Sequence, residues 1–178
     1  TECLRASFKV AAEKTVEGFH GTTLENALQI LQFGFRPSEY GMLGRGVYWS
    51  DNVMKTISYA SYDRSGRQRP MGSGVVLKLE IRTGHTKTID RRNHPSQFTW
   101  NAKGYDTAWV PAFCGMVPSG LSENCTYDSS RVTVTAVSTN YGKSFATGDR
   151  LECLAKLLAH DKHHRMQEWQ ADARRALA

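Results

Sequence analysis

Apolar residues recur along this chain in two rhythms, a period of two and a helical period, and their succession sets the expected elements. Val16–His20 is apolar and β-prone, which predicts a strand. Thr22-Thr23-Leu24-Glu25 follows as a capping-box pattern, in which side chains satisfy the first unpaired amides of a helix. Leu24, Ala27, Leu28 and Leu31 then repeat at helical spacing, and Gly34 stands where a helix stops. A strand, a tight turn and a helix are therefore expected between residues 16 and 33.

The same reading continues downstream. Gly41–Gly46 reads as a glycine-containing turn and Val47–Trp49 as a short strand. Ser50 or Asp51 is placed to cap a second helix, with Val53, Ile57 and Ala60 on its inner face. Asp63–Gly74 is polar, with three arginines and three glycines, and reads as a loop. Gly74–Arg82 alternates strictly, with Val75, Leu77, Leu79 and Ile81 facing one way as in a half-buried strand. Asp90–Lys103 is irregular, Asp106–Val110 is a further strand, and Pro111–Gly120 a loop. Leu121–Val137 reads as two strands, or one bent strand, broken near Asp128-Ser129-Ser130. Asp149–Ala178 is expected to be helical, with Leu151, Leu154 and Leu158 marking one face. Strands and helices do not alternate regularly, so the fold class is α+β: a largely antiparallel sheet, a few helices and a C-terminal helical tail. Residues 1–148 are expected to form one domain and 149–178 a helical extension of it.

Composition narrows the field only a little. With 178 residues, 40% of them hydrophobic and 22% charged, the chain suits a single globular domain. No apolar run approaches a membrane span. A net charge of +6 favours polyanionic partners such as nucleic acid or a dinucleotide, with a merely solubilising surface as the plain alternative. The four cysteines form no C-x-x-C pair, against a zinc knuckle or redox motif, while their number permits two disulfides. Asn124-Cys125-Thr126 fits the glycosylation pattern, a motif with many chance matches. His160 and His164 stand four residues apart, but no third ligand accompanies them, so no metal is expected. Walker A and dinucleotide-fold glycine motifs are absent. Compartment and oligomeric state are not assigned by any of these features.

Three segments carry chemistry. Phe19-His20-Gly21-Thr22 puts a histidine at a strand end beside a glycine whose backbone a ligand amide can approach. Tyr48 on a strand and Tyr59 on the following helix are spaced to face each other across a gap. Two such rings hold a flat cation, such as a pyridinium, by stacking and cation–π attraction; two core tyrosines are the alternative. Glu123 lies in a β-prone run just after a loop. A fixed carboxylate there can stabilise an oxocarbenium-like ribose, or be an exposed structural glutamate.

Taken together, these segments resemble the catalytic domain of poly(ADP-ribose) polymerases (PARPs) and their mono-transferase relatives, over roughly residues 16–137. His20-Gly21-Thr22 is similar to the family's His-Gly-Ser/Thr motif, continuing without a gap through Asn26 to Gly34-Phe35-Arg36. Gly44-x-Gly-Val-Tyr48-x-x-Asp51 resembles a second motif, with Lys55, Thr56 and Tyr59 following in family positions. Glu123-x-x-x-Tyr127-Asp128-x-x-Arg131-Val132 resembles the glutamate strand. Gly104–Pro111 and Cys114–Val117 also look like a smaller subgroup, virus-induced PARP-like proteins described from fish.

The resemblance implies a split-sheet ADP-ribosyltransferase fold and an enzyme that cleaves the nicotinamide–ribose bond of NAD. It implies His20, Tyr48 and Glu123 as the catalytic triad. Gly21 and the Thr56 hydroxyl would hold the carboxamide, and Tyr48 and Tyr59 the ring. Thr22, Asn26 and Arg36 would complete the NAD site, Arg36 near the adenine. NAD would serve as substrate without a metal. The acceptor would be a macromolecule, protein or nucleic acid, with no membrane involved; the triad glutamate is compatible with polymer formation without establishing it, and single transfer is the reading taken. The region between Arg36 and Tyr48 is shorter than in the better-known polymerases. A catalytically inactive NAD-binding module and an NAD glycohydrolase remain the alternatives.

Overall fold

A computed structural model describes residues 13–63, 65–69, 73–139, 144–146, 156, 157 and 159. The chain runs β1 (Thr15–Thr23), α1 (Leu24–Phe33), β2 (Val47–Trp49), α2 (Val53–Ser61), β3 (Gly74–Arg82), β4 (Thr86–Thr88), β5 (Thr107–Val110), β6 (Glu123–Thr126), β7 (Val132–Thr139) and β8 (Ser144–Ala146). Short 3-10 turns occupy Asn101–Lys103 and Ser129–Arg131. Two four-stranded sheets result, ordered β1-β3-β7-β8 and β2-β6-β5-β4. All pairings are antiparallel except β4 with β5. The α+β reading therefore holds.

Alternation in β3 works as the sequence implies. Val75, Leu77, Leu79 and Ile81 are all buried, in one core with Leu24, Ala27 and Leu31 of α1 and with Val47 and Trp49. Parity along the second sheet then divides its faces. Val47, Trp49, Asn124 and Thr126 share one face, turned toward that first core. Tyr48, Glu123, Cys125, Ala108 and Val110 share the other. That face is covered by a second core of Leu43, Ile89, Trp100, Met116 and Val117. Much of the 104–117 run is thus packing: Ala108, Val110, Met116 and Val117 fill this core.

The sheets are stitched at a fork. Phe19 of β1 and Ser50, just after β2, exchange two backbone hydrogen bonds of 2.8 and 3.0 Å. Beyond that bridge the strands part, and the site forms there. Arg131 adds a second tie, pairing with Glu13 beside β1 and, at 3.1 Å, with Asp106 beside β5.

Several expectations are corrected. β1 runs directly into α1 with no intervening turn, and the helix cap is Thr23, not Thr22. Thr22 still belongs to the strand, where its hydroxyl accepts from the Asn26 side chain at 3.3 Å. α2 is capped by Asn52, whose side chain accepts from Met54 N, rather than by Ser50 or Asp51. Both side chains are committed elsewhere, the Ser50 hydroxyl to the Ser122 carbonyl and the Asp51 carboxylate to the Ser122 hydroxyl. The inner face of α2 is Lys55, Thr56 and Ala60, while Val53 and Ile57 stay 38% and 39% exposed. The helix turns this polar face inward because it packs backbone-close on glycines. A Cβ on Gly21 would meet the Thr56 carbonyl oxygen at 1.8 Å, and one on Gly74 the Ala60 carbonyl oxygen at 1.8 Å. β4 and β8 are too short to register as periodicity. Of the expected helical tail, only 156, 157 and 159 lie within the described residues; these are helical, and Leu157 is buried in the first core. The histidines at 160–164 lie outside them.

Candidate active site

Two cavities meet at the fork, of about 430 and 460 Å³. His20, Ser38 and Tyr48 belong to the walls of both, so they form one two-chambered cleft. The first chamber holds Gly21, Thr56, Tyr59, Lys55 and Glu123. The second holds Thr22, Asn26 and Arg36. Every site residue singled out in the sequence therefore lines this cleft, although His20 and Glu123 are 103 positions apart.

His20 sits in the crotch of the fork. Its Nδ1 is 2.8 Å from the Tyr48 carbonyl oxygen, and its ring meets Phe35 edge-on at 5.4 Å. Only a protonated Nδ1 makes a hydrogen bond with a carbonyl, so the neutral ring leaves Nε2 as an acceptor. Burial lowers the His20 pKa, and the bond to the Tyr48 carbonyl opposes this only in part.

Gly21 follows on the free edge of β1. Phe19 directs its N–H and C=O away from β3, toward Ser50, and Gly21, two residues on, directs its own the same way. There β2 has already diverged, so among the described residues this donor–acceptor pair faces the first chamber without a ladder partner.

Tyr48 and Glu123 project from the same face of the second sheet. Tyr48 pairs with Cys125, so Glu123 is its diagonal neighbour, roughly 7–8 Å away by sheet geometry. The Tyr48 hydroxyl donates to the Gly44 carbonyl at 2.7 Å and accepts from Leu43 N at 2.9 Å. Trp100 in turn donates from Nε1 to the Leu43 carbonyl at 2.7 Å, anchoring that turn to the second core. Tyr59 is half exposed on the chamber's rim, and its pKa is raised by burial and by the nearby Glu123 charge. The Thr56 hydroxyl donates to the Val53 carbonyl at 2.7 Å, leaving its lone pairs to accept from a ligand.

Glu123 is 9% exposed, not the surface residue of the bland alternative. Lys55 Nζ lies 2.6 Å from its Oε2 and 2.8 Å from the Ser122 carbonyl oxygen. Burial pushes the Glu123 pKa up, and the Lys55 ammonium pulls it back. Oε2 is thereby engaged, and Oε1 has no hydrogen bond within the described residues. Lys55 is the residue the sequence undervalued. The helix phase suggested by Val53 and Ile57 turned it to solvent, and only its motif position marked it out.

Cys125 is a buried thiol whose pKa burial pushes up to about 12, which makes it a poor nucleophile. Cys114 is also free; the other two cysteines lie outside the described residues. Asn124 is 5% exposed, so its glycosylation pattern is inaccessible in the folded chain. Among the described residues no group of three or more potential metal ligands converges, and no helix is long and apolar enough to cross a membrane.

Paired, mostly antiparallel sheets that part around such a cleft are the architecture of an ADP-ribosyltransferase catalytic domain. Residues 5–131 match the family model of the poly(ADP-ribose) polymerase catalytic domain, well over half of the 178 residues. The chain belongs to that family, whose members are NAD-dependent ADP-ribosyltransferases. No curated protein gives a significant match to the chain.

Proposed function

We propose that the chain is an active mono-ADP-ribosyltransferase that takes ADP-ribose from NAD and gives it to a macromolecule, protein or nucleic acid. The observation that carries this reading is the two-chambered cleft joined at His20, Ser38 and Tyr48. Its two halves suit the two halves of a dinucleotide.

In this reading the nicotinamide ring enters the first chamber between Tyr48 and Tyr59. Two aromatic faces around a desolvated pyridinium contribute on the order of 1 kcal/mol or more each. The free edge of Gly21 pairs with the carboxamide. His20 Nε2 accepts from an adenosine ribose hydroxyl at the junction, and Thr22, Asn26 and Arg36 bound the adenosine half. Glu123, its charge sustained by Lys55, lies beside the nicotinamide ribose. As the C1′–N bond breaks, its electron pair returns to the ring nitrogen and nicotinamide leaves neutral. Positive charge develops on the ribose, where the carboxylate stabilises it. The acceptor oxygen or nitrogen then bonds to C1′ and gives its proton to Glu123 or to water.

Elongation requires a seat for an ADP-ribose acceptor beside the carboxylate, which a triad glutamate alone does not build; single transfer is the reading taken, and the length of the product decides it.

The test is labelled NAD incubated with separate protein and nucleic-acid pools. Nicotinamide is expected to be released and one pool labelled with single units, and Glu123→Gln is expected to lose about a hundredfold in rate. A ladder of products would instead mean elongation, and free ADP-ribose with no labelled pool a glycohydrolase. NAD binding without nicotinamide release would mean an inactive module.

A further inference from the structure

The strand that carries Glu123 has an unusual support problem, and its solution assigns a role to Asp51. β6 pairs with β5 along its whole length, Val110 opposite Glu123. On its other side the ladder with β2 stops at Trp49 and Asn124. Ser50 is the residue that would continue it, but its backbone turns away to bridge Phe19. The fork that opens the cleft therefore strips Ser122 and Glu123 of ladder partners on the side where the carboxylate works.

Side chains replace the missing bonds. The Ser122 carbonyl accepts from Ser50 Oγ at 3.1 Å and from Lys55 Nζ at 2.8 Å. The Ser122 hydroxyl donates to Asp51 Oδ1. Ser50 Oγ also accepts from Asn52 N at 3.2 Å, tying the same corner to the start of α2. Ser122 and Ser50 are 6% and 1% exposed, so the Ser50–Ser122 bond is shielded from competing water, while Asp51 reaches the same corner from the exposed side.

We propose that Asp51 is a positioning residue for the transfer reaction: through Ser122 it fixes the backbone from which Glu123 projects. The inference rests on the reading of Glu123 as the charge-stabilising carboxylate. Asp51 acts as a hydrogen-bond acceptor and not as a charge. Burial raises the Glu123 pKa and Lys55 lowers it. Misplacing the carboxylate weakens its hold on the developing ribose charge, which exists only in the transition state, so the loss falls on kcat and not on NAD binding.

The experiment is steady-state nicotinamide release by the full chain, with Asp51→Ala, Asp51→Asn, Ser122→Ala, the Asp51→Ala/Ser122→Ala double variant and Glu123→Gln. Asp51→Ala and Ser122→Ala are each expected to lower kcat about tenfold, a geometric effect of modest misplacement. KM for NAD should stay within about twofold and the acid limb of the pH profile should not move. The double variant should match the single ones, since both remove one bond. An asparagine side chain keeps an acceptor oxygen, so Asp51→Asn should recover most of the loss.

Additive losses, an Asn variant as impaired as the Ala variant, or a wild-type kcat in Asp51→Ala overturns the proposal. Should Ser122→Ala fail to fold, the comparison of Ala and Asn at the exposed position 51 still decides it. An inactive Glu123→Gln beside an unimpaired Asp51→Ala refutes this inference alone. Full activity in Glu123→Gln refutes the functional reading beneath it.

Discussion

Lys55 Nζ and Glu123 Oε2 are 2.6 Å apart, with side chains only 3% and 12% exposed. A charge pair this buried exists because each member cancels the other's desolvation. Removing one leaves the other uncompensated, at a cost of about 3–5 kcal/mol unless the survivor neutralises. Lys55→Met is therefore expected to leave burial alone acting on the carboxyl, so its pKa rises further. Activity that needs the ionised carboxylate is then lost at higher pH than in the wild type. The acid limb of the pH profile for nicotinamide release should move upward, together with a lower kcat. An unmoved limb would show that Lys55 does not sustain the Glu123 charge.

In the proposed NAD pose, His20 is the residue that would discriminate NAD from its 2′-phosphorylated form. Its Nδ1 donates to the Tyr48 carbonyl, and its lowered pKa keeps the ring neutral at pH 7. Nε2 then offers a lone pair, which accepts from a ribose hydroxyl but opposes a phosphate, itself an acceptor. NADP is expected to be used at least about tenfold less well than NAD, the worth of one unmatched polar contact. Equal kcat/KM for the two would sink this. The stability linkage has a definite sign. The folded-state pKa lies below the unfolded value of 6.5, so the unfolded chain binds more protons in the window below about 6.5. The His20 contribution thus destabilises the fold as pH drops through that window. Urea midpoints taken downward from pH 7 should fall less in His20→Gln than in wild type.

Much of this site was legible in the sequence because its residues sit on elements with strong local signals. The Val75–Ile81 alternation, the Leu24–Leu31 stripe and the Val47–Trp49 strand all form as their patterns imply. His20, Tyr48 and Glu123 occupy strand positions whose parity follows from those patterns. What failed was helix phase and capping. Burial of Lys55 in α2 is decided by Glu123, a partner 68 positions away that no local window contains. Asp51 and Ser50 look like caps because their residue types favour caps, yet both side chains are bonded to Ser122 instead. The supports of Ser122 are of the same kind: each bond spans 67 or more positions.

Gly21 is irreplaceable for a steric reason separable from its backbone chemistry. A Cβ there would lie 1.8 Å from the Thr56 carbonyl oxygen, and backbone cannot swing aside as a side chain does. Gly21→Ala is expected to push α2 off β1, at roughly 1–3 kcal/mol, as overpacking does. Because α2 carries Lys55, Thr56 and Tyr59, the first chamber should deform with it. Melting temperature and NAD affinity should fall together. Gly34→Ala offers the contrast, since nothing lies within 4 Å of its Cβ position, although its φ of +82° carries a backbone cost of its own. An equal loss of NAD affinity in both variants would contradict the steric account.

The Tyr48 hydroxyl and the Tyr48 ring have separate duties, and Tyr48→Phe isolates them. Tyr48 lines both chambers, and phenylalanine keeps its ring. The hydroxyl pins the turn between Ser38 and Gly46, with bonds to Gly44 O and Leu43 N. Ser38 and Gly46 close that turn by exchanging two backbone bonds of 2.8 and 3.0 Å. Space is tight inside it, because a Cβ on Gly41 would meet the phenol oxygen at 2.2 Å. Loss of the hydroxyl leaves the Leu43 amide and the Gly44 carbonyl without this partner, at a cost of about 1–3 kcal/mol in stability. Ser38, Tyr40, Gly41 and Met42 line the first chamber, so a loosened turn should raise KM for NAD several-fold. No step of the proposed reaction uses a phenolic proton, so kcat should stay within about threefold of wild type. A collapse of kcat at unchanged KM would instead give the phenol a part in the chemistry.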